Sequence, residues 1–272
     1  MTDILLNGWA WYPSVLLGIS LWTGAYLILI GPLRRRNTWG EAPKPWQQIA
    51  FHSGTLILVV ALISPLDELG DEYLFSAHML QHLLMMFVTA PLWLLGSLAG
   101  LIDLILPKQL VVPALWMTRP VAAFIVFTSV MYIWHFPGLY NLAQANEGVH
   151  ILEHLMYIGS SLIGWWPVAS QAGSIISKPP APVSMLYLFL MTIPCTALAA
   201  ILTFSSQPLY PLYVEAPRII GLSVLEDQHM GGLLMWLPTH MVLLLALGIT
   251  FFQWLNSDEN RQADRLIPNS PF

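Results

Sequence analysis

The sequence predicts an all-α integral membrane protein, a bundle of seven transmembrane helices with the N-terminus outside and the C-terminus cytoplasmic. Three observations carry that expectation. Of 272 residues, 56% are hydrophobic and only 9% are charged, whereas a soluble domain carries about 25% charged residues. Several apolar stretches reach the roughly 20 residues that cross a bilayer as helix. Polar segments rich in proline separate them, and proline belongs in loops, where no helical N–H is lost.

The first span is expected at residues 12–31; it is retained rather than cleaved, because "MTDILLNGWAWY" has no basic region of the signal-peptide kind. "GPLRRRNTWGEAPKP" leads to the second span, 47–65, and the acidic "DELGDE" to the third, 73–97. Residues 101–117, "LIDLILPKQLVVPALWM", are apolar but hold two prolines and a lysine, and read as an interfacial or re-entrant loop. The fourth span, 120–138, ends at "FPG", and the fifth covers 148–168. "SKPPAP" precedes the sixth, 182–204, and "SSQPLYPLYVEAPR" separates it from the seventh, 227–254. Residues 1–255 thus form one membrane domain, with 256–272 as a short polar cytoplasmic tail.

Basic residues orient the bundle, because cytoplasmic loops collect lysine and arginine. Arg34, Arg35, Arg36, Lys44, Lys108, Arg119, Lys178, Arg261 and Arg265 fall on one side, and only Arg218 on the other. The net charge of -5 gives no footprint for nucleic acid. The single Cys195 excludes an internal disulfide and reads as a small core residue. Trp9, Trp11, Trp165, Trp166 and Trp254 read as an aromatic belt at the membrane interface.

With this topology, seven of the eight histidines fall in the outer half of the membrane, His52 being the exception. In "SAHMLQHLLMM", residues 76–86, His78 and His82 share a helix face, which Met85 and Met86 extend. His150 and His154 repeat the spacing on the fifth helix, with Glu153 beside them. On the seventh, His229 and His240 share a face, and Asp227 and Gln228 either orient His229 or are the ordinary polar start of a span. His135 ends the fourth helix. A polar ring in hydrocarbon is costly unless it is partnered. A lone membrane histidine is commonly interhelical glue, and a methionine is commonly packing filler. Three pairs at one depth point instead to metal: imidazole suits copper, zinc and iron, and thioether sulfur selects copper(I).

Four stretches, "ISPLDELGDEYLFSAHMLQHLLMMFVTAPLWLLG", "WHFPGLYNLA", "HILEHLMYIGSSLIGWWP" and "EDQHMGGLLMW", closely resemble the seven-span CtaG family of cytochrome c oxidase assembly factors associated with caa-type oxidases. The resemblance covers about residues 10–255. It implies a multi-pass protein of the bacterial plasma membrane, partnered by cytochrome c oxidase subunits and acting in copper delivery. The family's histidine-bearing motifs fall on His78, His82, His135, His150, His154 and His229. Copper(I) would reach them from a copper chaperone or from solution. A bis-histidine haem protein is the alternative, and a copper or solute transporter a more distant one, since no inverted repeat is evident. No HExxH or GxSxG motif is present, so the chain reads as a non-enzyme.

Overall fold

The computed structural model describes residues 2–37, 42–170 and 178–266. Among them it is all helix, with no strand. Seven long helices stand where the hydrophobic runs predict them: α1 (Pro13–Asn37), α2 (Pro45–Ile63), α3 (Phe75–Ile102), α4 (Pro120–His135), α5 (Glu147–Ala169), α6 (Ala181–Thr203) and α7 (Val224–Leu266). Proline starts four of them, at positions 13, 45 and 120 and, one residue in, at 182; its missing N–H costs nothing in a first turn. Five are long and apolar enough to cross a membrane: α1, α2, α3, α6 and α7. Helix α4 makes a sixth when joined to Lys108–Met117, which meets it at 79°. The segment expected as a loop at 101–117 is therefore mostly helical. Residues 267–272 of the predicted tail lie outside the described residues.

Helix α3 is the hub, and it is not a regular α-helix. A wide i→i+5 turn over Leu84–Thr89 has Ala90 N–H donating to the Met85 carbonyl. In that register the Met86 carbonyl should receive the N–H of residue 91, but residue 91 is proline and has none. The indole Nε1 of Trp165 donates to it instead, at 2.9 Å. This corrects one expectation. Trp165 and Trp166 are 5% and 4% exposed, so they belong to the core and not to an interfacial belt, while Trp9 and Trp11 are exposed as expected. A second break follows at Gly96 and Ser97, where Ser97 adopts φ 70°.

Packing explains the rest of the arrangement. Between α1 and α2, Tyr26 stacks on Phe51 with centroids 3.6 Å apart, and its hydroxyl donates to the Gly96 carbonyl. Between α2 and α3, Trp93 Nε1 donates to Thr55 Oγ1 at 3.1 Å. Between α5 and α6, Tyr187 donates to the Gly164 carbonyl at 2.6 Å. The Gly231–Gly232 pair of α7 lets two helices approach at once. A Cβ at 231 would stand 2.5 Å from the Phe75 ring of α3, and one at 232 would stand 2.8 Å from the Thr203 backbone of α6. Helix α1 is the loose member, with only 6% of its most apolar stretch buried.

Candidate metal centre

The outer end of α3 is set by a carboxylate from the far end of the chain. Leu74, which precedes the helix, has no side chain to cap it, yet the first N–H groups of a helix need acceptors. Asp227 on α7 supplies them, accepting Phe75 N–H at 2.8 Å and Ser76 N–H at 3.2 Å, and the Ser76 hydroxyl as well. Gln228 accepts Leu209 N–H at 2.6 Å. Neither residue orients His229, whose Nε2–H donates to the Ser205 carbonyl at 2.9 Å. Of the two readings of these residues, the one in which they orient His229 is set aside: Asp227 is a helix cap, and Gln228 ties down the loop after α6.

Below that cap, α3 and α5 lay their histidine pairs against each other. The rings of His78 and His82 are 4.2 Å apart, and so are those of His150 and His154. Across the helices, His78 lies 5.7 Å from His150 and His82 lies 5.4 Å from His154. Glu153 completes the cluster. One ligand atom each from His78, His82 and Glu153 falls within 4.8 Å of the others, and all three residues are buried. A second trio, Asp71, His78 and His150, meets the same limit nearer the surface. Both nitrogens of His82, both carboxyl oxygens of Glu153, and Nε2 of His150 and of His154 are buried without a hydrogen-bond partner. Buried polar atoms are normally paired, so this concentration of unpartnered polar atoms sets the cluster apart among the described residues.

Asp71 joins the cluster although the spacing of the histidines did not point to it. Its carboxylate hydrogen-bonds His78 Nδ1 at 3.3 Å, which orients that ring, and lies 3.7 Å from His150 Nδ1, a charge contact beyond hydrogen-bond reach. Gln144 approaches His78 as well, at 3.4 Å. The loop holding Asp71 is fixed by a tyrosine relay: Tyr140 donates to Tyr213 at 2.7 Å, and Tyr213 donates to the Gly70 carbonyl at 2.7 Å. Burial pushes both phenols well above the usual tyrosine range, which keeps them as O–H donors. Gly70 itself packs on the α3 backbone; a Cβ there would stand 2.9 Å from the His78 Cα. The only cue in the sequence was the acidic run beside a glycine.

A polar cavity of about 330 Å³ opens onto the cluster, lined by Asp67, Asp71, Glu72, Glu147, His150 and His154 among others. Its acidic wall favours an approaching cation. Asp67, held by Gln81 Nε2 at 2.7 Å, is pushed up to about 7, first by burial and then by Asp71.

The remaining predicted residues divide. His135 Nδ1–H donates to the Met131 carbonyl at 2.7 Å, which leaves its Nε2 lone pair unpartnered and buried; it touches the cluster through Tyr157, whose hydroxyl is 3.2 Å from Nδ1. Met86 lines a small cavity together with His82 and His135. Met85 does not join: it packs with Tyr26, Phe51 and Trp93 against α1 and α2. His229 and His240 stay with α6; His240 is satisfied by Thr196 at 2.8 Å and the Trp236 carbonyl at 2.7 Å. His52 is exposed, edge-on to Tyr26.

Uncharacterized proteins of Mycobacterium bovis and Mycobacterium tuberculosis are each 25% identical over 91% of this chain, and one of Mycobacterium leprae is 24% identical over 92% of it. The chain spans about 40% of the length of these relatives. No solved structure matches. Residues 24–257, which hold the whole cluster, match the family of cytochrome c oxidase caa3 assembly factors. The chain belongs to that family.

Proposed function

We propose that this protein assists the assembly of a caa-type cytochrome c oxidase by binding copper on the His78/His82/His150/Glu153 cluster and passing it to an oxidase subunit. The observation that carries the reading is the meeting of three buried ligand atoms, from His78, His82 and Glu153, within 4.8 Å. Two helices, α3 and α5, supply them. The partner follows from the family, whose members are described as caa3 assembly factors. Copper, rather than another metal that imidazole accepts, is supported by Met79 and Met86, which line a small cavity with His82 next to the cluster. The role is handling rather than turnover, in keeping with an assembly factor.

The finer topology belongs to this proposal. All seven long helices span the bilayer of a bacterial plasma membrane, α4 and α5 among them. The cluster then lies in the outer half, the N-terminus outside and the C-terminus in the cytoplasm, with Lys108–Met117 on the inner surface. The basic residues of the loops support this orientation.

The test is metal content and an optical spectrum of detergent-purified protein, beside a His78→Ala/His82→Ala variant. Copper bound near one per chain, lost in the variant and without a Soret band, is the expected result. A Soret band moves the chain to the haem alternative, and no metal after copper loading ends the copper reading.

A further inference from the structure

We propose that the bundle core holds a second, sulfur-rich copper(I) position, inward of the histidine–glutamate cluster and sharing His82 with it. This rests on the copper reading above and extends it. The position is a cavity of about 20 Å³, room for a single ion or water molecule. Four of the chain's twelve methionines line it: Met79 and Met86 from α3, Met131 from α4 and Met235 from α7. Its sole cysteine, Cys195 of α6, is there too. Four helices thus converge their soft donors on one point. Scattered packing filler would not be expected to collect with the only thiol around a cavity.

Two buried histidines give that point its ligand character. His82 and His135 both line the cavity, are 3% and 7% exposed, and keep ring nitrogens without hydrogen-bond partners. The other walls offer thioethers and the Thr239 side chain and little that donates strongly, so they suit a soft ion better than a water molecule. The donor set is neutral and soft. It suits a monovalent ion, because no carboxylate lines the cavity to offset a second charge in the low-dielectric core. Hard or borderline divalent cations are disfavoured on the same ground.

His82 belongs both to this cavity and to the trio with His78 and Glu153. An ion held by His82 moves inward by exchanging ligands: bonds to Glu153 oxygen and His78 nitrogen break as bonds to thioether sulfur form. No electron moves, and the ion stays copper(I). One ion occupies one position at a time. The arrangement gives a carrier a retention site, shielded from oxidants in the outer cavity, from which the ion returns by the same ligand.

The experiment is copper-edge X-ray absorption on the full chain in detergent, loaded anaerobically with one equivalent of copper(I). The wild type should show sulfur scatterers. Met131→Leu/Met235→Leu, a swap that nearly conserves volume and leaves Met79, Met86 and Cys195 in place, should bind copper with fewer sulfur neighbours than the wild type. His150→Ala/Glu153→Gln should retain the sulfur signature. Copper bound by the wild type without sulfur overturns the inner position and leaves the outer cluster standing, and this arm needs no variant to fold. Wild-type affinity and sulfur ligation both unchanged in His150→Ala/Glu153→Gln overturn the outer cluster and support the inner position. No bound copper overturns both.

Discussion

The Asp227 carboxylate of α7 accepts the backbone N–H of Phe75 at 2.8 Å, across 152 positions of sequence. It fixes where α3 begins, and with it the height of His78 and His82. Losing a capping carboxylate costs about 1–2 kcal/mol, and burial of the abandoned donors adds to that. Asp227→Ala should therefore lower stability by about 2 kcal/mol or more, read as a fall in the thermal midpoint in detergent, with copper binding weakened alongside.

Glu153 has no hydrogen-bond partner, so its role as a ligand can be separated from any role in the fold. Glu153→Gln keeps shape and volume but removes the anionic donor. Copper affinity should fall by at least the roughly 10- to 100-fold that loss of a mere supporting group at a metal site costs, while the thermal midpoint of the metal-free protein stays level or rises. Competition against a copper chelator, with a melting curve beside it, reads both.

Asp67 gives a pH dependence with a definite sign. Its carboxyl is raised from 3.8 to about 7 by burial and then by Asp71, so the folded chain holds that proton more tightly than the unfolded one. Stability from this group is complete below about pH 4, falls as pH rises to about 7, and is level beyond. The change is on the order of a few kcal/mol. Asp67→Asn, which still accepts from Gln81, should flatten the melting temperature between pH 5 and 8. An unchanged slope would remove Asp67 as its source.

Gly70→Ala tests the placement of Asp71. The added methyl would stand 2.9 Å from the α3 backbone at His78, so the loop must lift and carry Asp71 off His78 and His150. Copper affinity should fall by about tenfold or more, and Asp71→Asn, which leaves the loop in place, should lose less than Gly70→Ala.

Much of this was legible in the chain. The runs at 12–31, 47–65, 73–97, 120–138, 148–168, 182–204 and 227–254 each coincide with a long helix, overrunning it by three residues at most, because an apolar stretch of that length has few alternatives. The i, i+4 pairs His78/His82 and His150/His154 do face each other. The extension to Met85 failed for a local reason. Spacing arguments assume a regular helix, and the wide turn at Leu84–Thr89 rotates its own residues out of that register, sending Met85 to Phe51 and Trp93 and leaving Met86 near His82. Asp71 and Asp227 were obscured differently: each acts across a tertiary contact that sequence spacing does not record. Trp165 reads as a belt residue unless one knows that Pro91 has left a carbonyl waiting for it.

The glycine pair of α7 sets where the bundle is closed most tightly. At 231 and 232, α7 is pinned to α3 on one side and α6 on the other with no room for a methyl group, so that seam is shut. Helix α1 is hardly embedded in the bundle, and Tyr12 and Ser14 at its start help to line the acidic cavity. The bundle is thus closed tightly where α7 meets its two neighbours and open in texture where the cavity begins.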